Sequence, residues 1–256
     1  MLRYGEACMT EEVARRLLER LGVICHGHFP LTSGKHSDVY INKDALYPHI
    51  KETSFLCRGI AKEFIRDDVD AVIGPALGGI NLSQWVAEHL SDLCEREVIS
   101  VFAEREEDTV YAADEYSRMR ISREYVLYSA SGATLAHYGD PVRVTLGSGE
   151  KIVRKGRGFV IRRGYDALIA GKRILVVEDN ITTGGTAREV IRAVRAASGT
   201  VVGFACLVNR GGVESEDVEN PPKFFSLLSM ALTAWDEAEC PLCRAGIPIN
   251  TGLGKR

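Results

Sequence analysis

The chain has 256 residues, 45% hydrophobic and 26% charged, with 32 Lys and Arg against 35 Asp and Glu for a formal net charge of −3. That composition supplies a core and argues against a dedicated nucleic-acid binder, which would carry a clear basic excess. No apolar run approaches the ~20 residues needed to span a bilayer. The acidic, mixed N-terminus is unlike an export signal, and seven scattered cysteines read as reduced thiols in a cytoplasmic protein.

Residues 10–21 place Val13, Leu17, Leu18 and Leu21 at helical spacing, with Thr10 as the cap and Gly22 as the stop. Residues 28–43 predict two short extended pieces around a Ser33-Gly34 turn, and 50–66 predict a helix that buries Phe55, Ile60 and Phe64. A short apolar strand over 69–73 then runs into Gly74-Pro75-Ala76-Leu77-Gly78-Gly79 and a helix to Leu90. Further apolar strands are expected at 98–103, 173–177, 200–208 and 223–229, with a helix over about 187–197. Strands that are apolar throughout and alternate with helices indicate an α/β fold with a central parallel sheet covered on both faces.

Between Thr109 and Arg157 this rhythm breaks. The segment alternates at 125–128 and 142–146 and has turn signals at Ser131-Gly132, Gly139-Asp140-Pro141 and Gly147-Ser148-Gly149. It predicts a small β-hairpin insertion within an otherwise single domain, because a structureless loop of that length is improbable in a compact fold. Residues 249–256 read as a frayed tail.

The chemistry concentrates in Glu178-Asp179-Asn180-Ile181-Thr182-Thr183-Gly184-Gly185-Thr186, where an apolar strand gives way to two acids, a Thr/Gly loop and a helix. Ligands of open α/β sheets bind at the carboxyl ends of the strands, and free N–H groups at a helix N-terminus attract anions. The loop is therefore suited to a phosphate. The acid pair would accept hydrogen bonds from a sugar diol or help hold a cation, so the implied ligand is a phosphorylated sugar. An ordinary strand-turn-helix connection capped by Asp179 is the plainer alternative. Neither a P-loop nor a dinucleotide GxGxxG motif between strand and helix is present.

This segment closely resembles the phosphoribosyl-pyrophosphate (PRPP) loop of the type I phosphoribosyltransferases. Other segments are similar to those of the orotate phosphoribosyltransferase family: 29–40 resembles its base-recognition segment, Gly74–Ile80 its pyrophosphate loop, 162–165 a stretch before the PRPP-loop strand, and Arg210-Gly211 the place of an orotate-gripping arginine. The resemblance covers about 10–108 and 158–250.

It implies a type I phosphoribosyltransferase fold with a small hood built from the N-terminal segment and C-terminal strands. It also implies transfer of ribose 5-phosphate from PRPP to orotate, with Mg2+ carried mainly by PRPP, and a homodimer. Glu178, Asp179, Thr182, Thr183, Gly184, Gly185 and Thr186 would bind PRPP. Ala76, Gly78 and Gly79 would face pyrophosphate, and Ser33, Gly34, Thr182 and Arg210 would meet orotate.

Catalysis would fall to Asp179, to Arg105 where the family's mobile loop carries a lysine, and to Lys155 in the insertion. Arg105 keeps the charge but cannot donate a proton. Gly78 stands where many members have lysine. Lys155 lies in a run, 151–163, of six basic residues and no acid. Either it supplies the missing charge or the run is a solvated face.

Two other readings stay open: a purine or xanthine phosphoribosyltransferase, and a PRPP-binding regulator that has lost catalysis. Cys240 and Cys243 have half a zinc motif with no second close pair to complete it, and read as a structural turn, while His28 and His36 read as surface-loop histidines.

Overall fold

The computed structural model describes residues 9–31, 33–106, 109–112, 117–121, 125–131, 133–138, 142–146, 148, 150–154 and 158–253. Two compact units emerge, one formed by Met1–Ala103 with Ile161–Arg256 and one by Glu104–Val160.

In the first unit, helix α1 (Glu11–Arg20) begins as its sequence dictates. Thr10 Oγ1 accepts from the Val13 N–H, Glu11 and Glu12 occupy the first turn, and Ala14, Leu17 and Leu18 are buried. Strands β1 (Ile24–Pro30) and β2 (His36–Ile41) form an antiparallel hairpin. Gly34 takes the left-handed conformation at its tip, with φ +83°. Helix α2 (Ile50–Glu63) follows, and Phe55, Ile60 and Phe64 are buried as expected.

Next come β3 (Ala71–Pro75), α3 (Gly78–Cys94) and β4 (Ile99–Arg105). After the second unit the chain returns through α4 (Tyr165–Ile169), β12 (Arg173–Ile181), α5 (Gly185–Ala196), β13 (Thr200–Asn209), β14 (Phe224–Ser229) and α6 (Pro241–Arg244). The intervening numbers belong to β5 (Thr109–Ala112), β6 (Ser117–Ile121), β7 (Tyr125–Tyr128), β8 (Thr134–Tyr138), β9 (Val142–Leu146), β10 (Lys151–Arg154) and β11 (Phe159–Val160).

The central strands run β4-β3-β12-β13-β14, all parallel. Leu175 and Val177 of β12 join the core formed with α1, α2 and α3, whose centre is Leu56, Ile60, Phe64, Leu82 and Val86. Ile174 and Val176 alternate to the opposite face, where α5 buries Ala187, Val190, Ile191 and Val194. Both faces of β12 are therefore dry, which explains its unbroken apolar run.

Two boundaries depart from the sequence reading. Helix α3 continues to Cys94, and β12 does not end before the acids but extends through Ile181. The reason is pairing: β13 is long enough to set Glu178 opposite Cys206, Asn180 opposite Val208 and Ile181 opposite Asn209. The hood also differs. Its C-terminal part consists of an isolated bridge between His36 and Trp235, a short turn of helix and α6, rather than strands. Asn250 N–H donates to the His28 carbonyl, so this part of the tail is tied down rather than frayed.

The second unit is richer than a hairpin. It contains a four-stranded antiparallel sheet ordered β5-β10-β7-β8 and a β6-β9 pair, and β11 pairs with the last residues of β4. Leu127, Leu146 and Phe159 are its buried apolar residues among those described. Lys155, Gly139-Asp140-Pro141, and Gly132, Gly147 and Gly149 of the expected turns lie outside the described residues. Among the described residues, no helix is long and apolar enough to cross a membrane.

Phe204 is fully buried in β13, with its ring 5.5 Å from that of Phe224. Phe204→Ala is expected to cost about 3–5 kcal/mol in chemical denaturation, because the cavity adds to the lost transfer energy.

Candidate functional site

Strand β12 carries its two carboxylates into the sheet's carboxyl edge, where Glu178 and Asp179 are 9% and 7% exposed. Asp179 Oδ2 is held by two groups from the β2–α2 connection. Lys43 Nζ lies 3.1 Å away and the Tyr47 hydroxyl 2.8 Å away, with the same hydroxyl 3.0 Å from the Gly78 carbonyl. A 3-10 turn over Lys43–Ala45 and the buried Leu46 set these side chains. Sequence reasoning missed both residues: Tyr47 and Asp179 are 132 positions apart, and no local pattern marks such a pair.

Burial would lower the Lys43 pKa, but the Asp179 charge and hydrogen bond outweigh it and hold the ammonium above its usual value. Glu178 has no such partner. Its Oε2 is buried without a hydrogen bond, as is Asn180 Oδ1. Burial first, and the neighbouring Asp179 charge second, push the Glu178 carboxyl up to about 8 against a smaller opposing effect of Lys43.

The Thr/Gly run forms the loop between β12 and α5. Glu178 and the residues from Asn180 to Thr186 line a cavity of about 130 Å³. Gly184 sits before α5 with φ +73°, and no side chain caps that helix. Three hydroxyls and the first N–H groups of a twelve-residue helix thus border one small polar cavity, a setting that favours an anion.

The Gly74–Gly79 loop lies beside the acids. A Cβ on Gly78 would come within 2.1 Å of Asp179 Oδ2, and one on Gly74 within 2.2 Å of the Gly79 carbonyl oxygen. Gly78 therefore has no room for a lysine side chain while Asp179 holds this position. The cation beside that carboxylate is Lys43, which arrives from another element.

Across the loop, Arg210 Nε donates to Thr182 Oγ1 at 2.7 Å. The two segments are pressed together: a Cβ on Gly211 would fall 1.7 Å from the Thr182 carbonyl oxygen. Burial lowers the Arg210 pKa from its ordinary value, and the nearby Tyr40 of β2 opposes this. Asn209 braces the turn by exchanging two side-chain hydrogen bonds with the Val213 backbone.

Glu178, Asp179, Gly78, Thr182–Thr186 and Arg210 are thus assembled around one edge of the sheet. Ser33 and Gly34 form the exposed hairpin tip, where Ser33 Oγ accepts from Lys35 N–H and Gly34 N–H donates to the Leu31 carbonyl. Arg105 belongs to the second unit, its guanidinium 4.8 Å from the centre of the Phe159 ring.

One reading is overturned. His28 and His36 are not surface histidines but are 2% and 5% exposed, and their rings meet the Cys240 and Cys243 thiols. The partners missing from the CxxC pair come from the hairpin, more than 200 positions away.

The Glu178 proton gives stability a pH dependence. Its folded pKa is about 8 against an ordinary 4.5, so the folded state keeps a proton that the unfolded chain releases. The contribution is fully present below 4.5 and is lost as pH rises to about 8. Wild-type thermal stability is expected to fall across this window relative to Glu178→Gln. A wild-type-minus-variant difference that is constant with pH in thermal melts would count against the buried acid.

The phosphoribosyl transferase domain family matches residues 46–239. The orotate phosphoribosyltransferase of Thermoanaerobacter sp. is 31% identical over 241 residues, covering 94% of this chain and 96% of that protein. That of Caldicellulosiruptor bescii is 32% identical over 243 residues, covering 94% and 96%. Among solved structures, the orotate phosphoribosyltransferase of Mycobacterium tuberculosis matches the fold with a TM-score of 0.55 and 20% identity, over 85% of this chain and 96% of that one. The parallel sheet, the loop after its acid-bearing strand and these likenesses agree, and the chain belongs to the orotate phosphoribosyltransferase branch of the phosphoribosyltransferase family.

Proposed function

We propose that the chain transfers ribose 5-phosphate from PRPP to N1 of orotate, giving orotidine 5-monophosphate and pyrophosphate. The observation that carries this reading is Arg210 on the Thr182 hydroxyl, at the edge of the anion-suited cavity that Glu178 also lines. A cation for the base carboxylate and a cradle for the 5-phosphate thus share one residue, as a site joining those two substrates requires. A neutral purine offers no carboxylate to Arg210, which disfavours the purine alternative.

In this reading Thr182–Thr186 and the α5 N-terminus hold the 5-phosphate, and Glu178 and Asp179 face the ribose hydroxyls. Largely protonated near neutral pH, Glu178 can donate one hydrogen bond and accept others. The Ala76–Gly79 backbone faces the pyrophosphate. The bond from ribose C1 to the pyrophosphate oxygen breaks and that oxygen keeps the electron pair, while orotate N1 bonds to C1 and its proton passes to the departing pyrophosphate or to solvent. Charge on the leaving group must be met by fixed cations.

Lys43 takes that part beside the pyrophosphate loop, where Gly78 excludes a side chain, and Arg105 and Lys155 are assigned to the lid. Mg2+ suits the site as a hydrated ion brought by the substrate: the unpartnered oxygens of Glu178 and Asn180 can accept from its waters, while Lys43 and Tyr47 occupy Asp179. When bound it neutralises phosphate charge. The reading includes a homodimer in the cytoplasm and a single catalytic domain whose 109–157 insertion sits at the lid.

Loss of orotate absorbance in a mixture of enzyme, PRPP and Mg2+ tests the assignment. Turnover with orotate and none with adenine, guanine or xanthine is expected. Turnover with a purine alone would replace it, and PRPP binding without turnover on any base would favour a regulator. Arg210→Ala removes a charge-assisted contact worth ~1.5–3 kcal/mol and should raise the KM for orotate roughly ten- to a hundredfold, leaving the KM for PRPP much less changed. Lys43→Met should act on the PRPP side instead. Lys155→Ala is expected to slow the forward reaction and pyrophosphorolysis together, and a wild-type rate would assign the basic run to a solvated face.

A further inference from the structure

The C-terminal tail closes over the β1–β2 hairpin through four side chains that the transfer reaction does not use. His28 from β1, His36 from β2, Cys240 just before α6 and Cys243 within it each offer one ligand atom to a common point, and those four atoms lie within 4.8 Å of one another. His28, His36 and Cys240 are buried.

Four of the six separations lie within about 0.4 Å of the edges of a coordination tetrahedron. His28 Nε2 lies 2.9 Å from His36 Nδ1, 3.6 Å from Cys240 Sγ and 3.6 Å from Cys243 Sγ, and Cys243 Sγ lies 3.2 Å from His36 Nδ1. A tetrahedral zinc ion, with bonds of ~2.0–2.1 Å to nitrogen and ~2.3 Å to sulfur, sets its ligands about 3.3 Å apart for N–N and about 3.6 Å for N–S.

The ring orientation agrees. His28 Nδ1 is 2.8 Å from the Ile247 carbonyl, which can only accept, so Nδ1 carries the proton and Nε2 presents its lone pair to the cluster. A carbonyl behind the ligating imidazole is the usual means of orienting a metal-bound histidine. A bare hydrogen bond between the two imidazoles would account for one contact, but not for two thiols from the far end of the chain converging on it.

We propose that His28 Nε2, His36 Nδ1, Cys240 Sγ and Cys243 Sγ form a closed Zn2+ site that fastens the tail to the hood hairpin. Two imidazoles and two thiolates suit zinc, and four protein ligands leave no open position for substrate, so the site is structural rather than catalytic. Its place gives it a positioning role. The two histidines flank the Ser33-Gly34 tip at its base. Around them the tail adds the backbone exchange between His36 and Trp235 and the Ser37 Oγ hydrogen bond to the Thr233 carbonyl.

The test is the metal content of the untagged, full-length protein made in zinc-supplemented medium. One zinc per chain is expected by elemental analysis, retained through dialysis and released to a chromogenic chelator on denaturation. Cys243→Ser and His28→Gln should reduce it to a trace, while Cys94→Ser, outside the cluster, should keep it.

Since a ligand variant can fail to fold, the wild-type chain stripped by chelator is also titrated with Co2+. A thiolate-to-cobalt charge-transfer band with the intense ligand-field bands of a tetrahedral site is expected. Stripping should also open the chain beyond Trp235 to limited proteolysis, and Zn2+ should restore protection. Trace zinc in the wild type together with a featureless Co2+ titration would overturn the proposal. Neither outcome depends on turnover, so the site stands or falls apart from the orotate assignment.

Discussion

Placing two adjacent carboxylates inside a central strand is the constraint from which the site follows. Each must either be met by a cation or give up its charge, because burial penalises the ionised form. The two residues take different courses. Asp179 keeps a cation, and the fold delivers Lys43 and Tyr47 to it. Glu178 retains its proton near neutrality instead. The pair is thereby divided into one residue fixed by neighbours and one whose oxygen remains available. Gly78 belongs to the same arrangement, since its missing side chain is the space that Asp179 fills.

The second unit shows a different economy. Its strands are short, every pairing among those described is antiparallel, and its described core is small. Among its described strands only β7 and β8 pair as sequence neighbours, while β5 meets β10 and β6 meets β9 across intervening strands, so this unit too is built on nonlocal contacts. The unit opens and closes on one antiparallel pairing, of Glu104 and Arg105 in β4 with Val160 and Phe159 in β11.

Legibility in the sequence followed the range of the interactions. The apolar strands and the Thr/Gly loop could be read because their signals are local: Val176 and Val177 beside Glu178, and glycines where the backbone must turn before α5. The extension of β12 past its acids was not legible. Asn180 and Ile181 are strand residues only because β13 reaches Asn209 to pair with them. Lys43 carried no mark, since its role is defined by a carboxylate in another element. His28 and His36 read as ordinary loop histidines for the same reason. Their burial depends on a tail at the other end of the chain, and a CxxC pair viewed alone has no partners.

The contact between Gly211 and Thr182 has a consequence for how this family can change. With Arg210 tied to the Thr182 hydroxyl and the next residue pressed against its carbonyl, the two loops behave as one interlocked part. A substitution that reshapes the base-facing turn shifts the phosphate cradle, and the reverse holds equally. Recasting which base is accepted is thus a problem of exchanging both segments together, and histories of divergence at this edge should be written in paired changes.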